Sequence, residues 1–125
     1  MIPGRASFHE PTPKIGNVLA GIDVFMLASV REAFSLGLIE AWLAGKPVVA
    51  TPVGSVPELT DKFGKLVQTV PVSPSPVDLI EAADAAYDDQ ETVDRAYTVA
   101  HENFTIRHMT KNSESYLVNV VRGRK

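Results

Sequence analysis

Along the chain the apolar residues gather in short unbroken runs rather than alternating with polar ones. Asp23–Ser29 (DVFMLAS), Pro47–Thr51 (PVVAT) and Gly64–Val70 (GKLVQTV) are such runs. A strand without polar alternation is covered on both faces, as in a parallel sheet. Ala6–Glu10 (ASFHE) is a fourth candidate strand. Between the runs the spacing is helical, over Lys14–Ile22 and over Ser35–Gly45. The second of these ends at Gly45, a good residue for leaving a helix, and Pro47 forbids continuation. Ser55-x-x-Glu58 has the pattern of a capping box and opens a short helical turn. Strands alternating with helices predict an α/β fold with right-handed crossovers.

After Val70 the chain changes character. Pro71–Pro76 (PVSPSP) holds three of the nine prolines and reads as a rigid connection. Ser75 is placed as an N-cap, with Pro76 at the first helical position and Asp78 three residues after the cap. Helices are predicted over about Pro76–Tyr87, Gln90–Asn103 and Ile106–Val121, the last with Thr105 as its cap. The expectation is a single domain over 1–125. Its sheet region, of about four parallel strands, covers about 5–72, and a helical tail covers 73–125.

Composition narrows the function. With 125 residues, 45% apolar and 22% charged, the chain has the size and balance of one globular domain. A net charge of −3 supplies no excess of cations to neutralise phosphates, so nucleic acid is not an expected partner. There is no cysteine, which excludes disulfides, thiolate chemistry and cysteine metal sites. Met1–Glu10 lacks the apolar core of a signal peptide. The longest apolar stretch, Val18–Val30, contains Asp23 and is too short to span a bilayer. A soluble, cytoplasmic protein is expected.

Candidate chemistry lies between Arg31 and Thr51. Glu40 is the only charge in Leu36–Gly45, a segment apolar around nearly its whole circumference. A carboxylate buried there is costly unless donors satisfy it, and no lysine or arginine stands one turn away. Glu40 therefore either reaches solvent through a gap or faces a cleft where a ligand brings the donors. A vicinal diol such as ribose offers two hydroxyls to one carboxylate. Ala33, Ser35 and Gly37 make the preceding loop small where helix amides are free, which suits a phosphate. Glu32, eight residues before Glu40, borders that loop. With eight glutamates in the chain, one pair at that separation is about what chance supplies. Acids near a helix start also favour the helix dipole, so two solvated residues on a core helix are an equal alternative.

The segment Ile22–Leu59 (IDVFMLASVREAFSLGLIEAWLAGKPVVATPVGSVPEL) resembles the C-terminal, donor-binding domain of retaining glycosyltransferases of the two-domain GT-B architecture, glycosyl transferases group 1. Over a dozen positions match the family pattern without a gap, and the flanks match more loosely. The resemblance implies a partial Rossmann-like domain of three layers. It implies that Glu40 binds the ribose hydroxyls of a nucleotide and that Glu32, placed at the catalytic position, contacts the donor sugar near the reacting carbon. The backbone amides of Phe34, Ser35, Leu36 and Gly37 would hold the sugar and the distal phosphate. The anomeric configuration would be retained, with the leaving diphosphate stabilised electrostatically. No metal or other cofactor is expected, the donor being a nucleotide-sugar.

This sequence departs from the pattern at Ala33 and Ser35, which replace two glycines, and at Ala28 and Ser55, which replace a proline and a glycine. The resemblance also implies an N-terminal acceptor domain and two further βα units with an arginine and a lysine clamping the diphosphate, and neither is expected within these 125 residues. The chain alone is therefore expected to transfer no sugar. An exposed sheet edge invites pairing with another chain, so a homodimer is expected. A non-catalytic nucleotide or sugar-nucleotide module and a structural interaction domain are the alternatives. Outside the loop, His9 follows the first candidate strand and Gly54 follows PVVAT near where phosphates would lie. Trp42 reads as core, and Arg31 and Lys46 as solvated cations.

Overall fold

In the computed structural model, which describes residues 6–32 and 35–105, the three apolar runs become three short strands. They are β1 (Phe25–Leu27), β2 (Val48–Ala50) and β3 (Gln68–Thr69), all parallel in the order β1-β2-β3. Phe25 stands beside Val48, Leu27 beside Ala50, and Ala50 beside Thr69. All three residues of β2 are buried. Val48 and Ala50 enter one core cluster and Val49 the other, so the central strand is covered on both faces, as its unbroken apolar run predicts.

Among the described residues, five helices cover this sheet: α1 (Ile15–Ala20), α2 (Leu36–Leu43), α3 (Val56–Phe63), α4 (Pro76–Asp88) and α5 (Gln90–Asn103). On one face, Leu19 of α1, Leu38, Ile39, Ala41 and Trp42 of α2, Val56 of α3 and Ala96, Val99 and Ala100 of α5 close over Val48 and Ala50. On the other, Ala82 and Ala86 of α4 close over Val49 and Val70. The result is an α/β architecture of helices, sheet and helix in three layers. Cover is uneven at β1, where Met26 stays 42% exposed on the α4 side. The Phe25 amide donates to the Pro47 carbonyl and the Leu27 carbonyl accepts from Thr51. These bonds turn Phe25 and Leu27 toward β2 and leave the Met26 peptide groups facing the strand's open edge.

Helix ends follow local chemistry. The chain leaves α2 through Gly45 at φ +69°, with the Gly45 amide bonded to the Trp42 carbonyl and the Lys46 amide to the Ala41 carbonyl. These are the paired bonds of a Schellman turn, which needs a left-handed residue at that point. At α4 the predicted cap forms in both directions: the Asp78 amide donates to Ser75 Oγ at 3.1 Å and the Ser75 amide to Asp78 Oδ2 at 2.9 Å.

Three expectations change. Ala6–Glu10 is irregular and exposed, so the sheet has three strands among the described residues, not about four. Phe8, the one large apolar side chain there, is 88% exposed and has no face to bury against. The Ser55-x-x-Glu58 pattern makes no capping box: Ser55 is already helical (φ −80°, ψ −9°) and its hydroxyl caps nothing. A capping side chain needs an extended backbone. Here Pro57 has no amide to satisfy, and the Val56 amide is taken by the Val53 carbonyl. The short turn expected there is instead the two-turn helix α3. The third helix of the predicted tail, Ile106–Val121, lies outside the described residues.

Asp89 ties the start of α5 to Lys65 in the loop before β3. Its carboxylate accepts from Thr92 Oγ1 at 2.7 Å, the Thr92 amide at 3.2 Å and Lys65 Nζ at 3.1 Å. These bonds, those from Thr92 first, hold its pKa down from 3.8 to about 2. The folded value lies below the unfolded one, so the stabilisation is complete above about pH 3.8 and is lost as pH falls through about 2. Asp89→Asn is expected to lose this part of the acid dependence, so that its urea midpoint falls less than that of the parent chain between pH 4 and pH 2. An unchanged pH profile in the variant would show that Asp89 gives the fold no such support.

Candidate donor site at the carboxyl end of the sheet

Where β1 and β2 end, two hydroxyls bind the loops. Thr51, only 1% exposed, donates its hydroxyl to the Ser29 carbonyl at 2.6 Å, and its amide donates to the Leu27 carbonyl at 3.1 Å. Ser29 in turn donates its hydroxyl to Glu32 Oε2 at 3.2 Å. Glu32 is half-buried and sits in a loop of irregular backbone, yet its carboxylate is linked back to the sheet through these groups.

Next along the chain, Ser35 has an extended backbone (φ −93°, ψ 115°) and caps α2, its hydroxyl accepting from the Leu38 amide at 3.3 Å. The amides of Leu36 and Gly37 occupy the first helical turn, where no acceptor exists within the helix. Gly37 lies close to β1: a Cβ there would meet Phe25 Cζ at 3.2 Å. The missing side chain lets the helix start approach the strand. Phe34, with Ala33, lies outside the described residues.

Glu40 is half-buried, one turn beyond Leu36. Leu38, Ile39, Ala41 and Trp42 are buried, whereas Leu36 is 58% exposed and Ala44 is exposed. Leu36, Glu40 and Ala44 therefore form the helix's least covered stripe, at four-residue spacing. Among the described residues no side chain donates to the Glu40 carboxylate. The opening on that stripe means that Glu40 is not enclosed in core, and its cost of burial is correspondingly small.

The structure thus brings Glu32, Ser35, Leu36, Gly37 and Glu40 to one loop and the first turns of one helix, at the carboxyl end of a parallel sheet. Glycosyl transferases group 1 is the family whose profile matches this chain, over residues 2–89. The chain belongs to that family. It is similar to an N-acetyl-alpha-D-glucosaminyl L-malate synthase of Bacillus anthracis, 36% identical over 58 residues, 46% of this chain and 15% of the relative. It is 33% identical over 69 residues to an MMP alpha-(1->4)-mannosyltransferase of Mycolicibacterium hassiacum, covering 55% of this chain and 16% of the relative. A 2-deoxystreptamine glucosyltransferase of Streptomyces kanamyceticus is 36% identical over 67 residues, again 16% of that protein's length. The chain spans about a sixth of these relatives.

For this group 1 glycosyltransferase segment, other singled-out residues fall away from the loop or act structurally. His9 is exposed and, among the described residues, pairs with Ser7 at 2.8 Å. Trp42 is core, 2% exposed. Lys46 reaches the Ala20 carbonyl at 3.5 Å and, with Asp23, Tyr87 and Gln90, lines a groove of about 350 Å³ at the opposite end of the sheet. Gly54 turns the loop after β2 at φ +62° and is exposed. Sequence reasoning passed over Ser29 and Thr51. The signal available for them was a hydroxyl residue closing each of two apolar strands at the carboxyl end. Among the described residues, no helix is long and apolar enough to cross a membrane.

Ser35 serves locally as the cap of α2. Ser35→Ala is expected to destabilise the fold by about 1 kcal/mol in urea unfolding, the usual loss for an N-cap hydroxyl, and Ser35→Asp to retain most of the parent stability. Equal stability of the parent and Ser35→Ala would remove that role.

Proposed function

We propose that this chain carries the donor half-site of a retaining, nucleotide-sugar-dependent glycosyltransferase of GT-B type, and that it is inactive alone. The observation that supports this most is Glu40: a half-buried carboxylate with no protein donor among the described residues, one turn from the open amides of a helix start. A ribose diol would supply two hydroxyls to Glu40. The amides of Leu36 and Gly37, with those of Ser35 and Phe34, would hold the distal phosphate and sugar, helped by the helix dipole. Glu32 would accept hydroxyls of the donor sugar beside the reacting carbon. During transfer the charge on the leaving diphosphate grows, and the amides aimed at it stabilise it as it forms. This chemistry asks for no resident metal or other cofactor.

In this reading the acceptor side comes from an N-terminal domain outside these 125 residues or from another chain, and the protein works in the cytoplasm as a partial domain of the larger enzyme. The relatives are named for N-acetylglucosaminyl, mannosyl and glucosyl chemistry, so the proposal stops at the class of donor. The open β1 edge, with the Met26 peptide unpaired by β2, would receive a strand from a second copy. Sedimentation at high protein concentration should then show a dimer, and a monomer throughout would remove that part of the proposal.

The donor site is tested by NMR titration of the full chain with UDP, GDP and ADP and their glucose conjugates, beside Glu40→Ala. Saturable shifts at Leu36, Gly37 and Glu40, absent in the variant, are expected, and the strongest ligand names the base. No shift up to millimolar ligand would sink the reading and leave a structural domain. In that case Glu40→Leu should be neutral or stabilising.

A further inference from the structure

We propose that Ser29 and Thr51 are positioning residues for Glu32, a two-hydroxyl relay that carries the rigidity of the sheet to the carboxylate. The proposal rests on Glu32 being a donor contact, as inferred above. Glu32 stands in irregular backbone and has three side-chain torsions, so the loop alone does not fix where its oxygens lie. The Ser29 hydroxyl does, by donating to Oε2 at 3.2 Å. Ser29 is itself held, because its carbonyl accepts the Thr51 hydroxyl at 2.6 Å.

Thr51 has little freedom to move. It is 1% exposed, its amide bonds the Leu27 carbonyl and its carbonyl accepts the Val53 amide at 2.9 Å. A hydroxyl so buried must find an acceptor, and the one it has found is the carbonyl of the residue that holds Glu32. Each link uses one donor and one acceptor, so the order is fixed: Thr51 O–H to Ser29 C=O, and Ser29 O–H to Glu32 Oε2. Oε2 takes one bond from the protein side, which leaves Oε1 and the second lone pair of Oε2 to accept hydroxyls from a ligand. A carboxylate oriented in advance loses less freedom when the sugar arrives. A water molecule on Glu32 would satisfy the same oxygen without orienting it.

The test uses the full chain with Ser29→Ala, Thr51→Val and Thr51→Ser, and two readouts. The first, without ligand, is the set of three-bond couplings of the Glu32 side chain. A single rotamer is expected in the parent chain and in Thr51→Ser, which keeps the hydroxyl. Averaged couplings are expected in Ser29→Ala and in Thr51→Val, which keeps the shape. Backbone amide spectra of the variants should otherwise match the parent outside the loops at 28–35 and 51–55. The second readout is affinity for the tightest of UDP-, GDP- and ADP-glucose, expected to fall five- to tenfold in Ser29→Ala and Thr51→Val and to recover in Thr51→Ser. Glu32 couplings already averaged in the parent, or unchanged by Ser29→Ala, would overturn the relay. Averaging in Thr51→Ser as strong as in Thr51→Val would overturn the part assigned to the Thr51 hydroxyl. If the parent binds none of the three sugar nucleotides, the donor-site reading fails, while the couplings still decide whether the relay orders Glu32.

Discussion

Val48, Val49 and Ala50 have no route to water, because helices close over both faces of their strand and neighbouring strands take up both edges. A strand in that position tolerates only apolar side chains of limited size, and its register is fixed by the cores it divides. The carboxyl end inherits this constraint. Thr51 follows Ala50 directly and is as buried as the strand, so the loop after β1 is bonded to the least movable part of the sheet. The central strand thereby sets the position of residues that it never touches.

Around that strand, α2 divides its circumference between core and opening. Leu38, Ile39, Ala41 and Trp42 are buried, and Leu36, Glu40 and Ala44 are left on the far stripe. Gly37 allows the helix to begin close to Phe25, and Gly45 lets the chain leave it directly toward β2. One short helix therefore provides a wall of the larger core, a set of open amides and a carboxylate. The demands do not conflict because they fall on different sides of the same cylinder.

Much of this was legible in the residues. The unbroken runs DVFMLAS and PVVAT gave the two strands that hold the loop, and Ser75-Pro76 with Asp78 gave the start of α4. The misses have a common physical source. Ser55-x-x-Glu58 and Ser75-x-x-Asp78 look alike as strings, yet only the second has an extended backbone at its cap, and a string does not carry torsion angles. Ala6–Glu10 looked strand-like locally, but pairing depends on an apolar face that only the folded chain provides. For Glu40 the residues offer a gap to solvent or a ligand-bearing cleft, and the string alone cannot show how α5 packs on α2 and leaves the Glu40 stripe open. Ser29 and Thr51 were hidden for the opposite reason, since each matters through a bond to a residue distant in sequence.

The family match stops at residue 89, at the turn where α4 hands over to α5. Yet among the described residues α2 meets α5 more extensively than any other pair of elements meets, and Ala96, Val99 and Ala100 complete the cluster that holds Leu38 and Trp42. The segment that evolution marks by resemblance and the segment that closes the core are thus different lengths of chain. Cutting at the end of the likeness would leave the back of α2 wet. A boundary drawn for this protein belongs no earlier than the end of α5, whose residues complete the core.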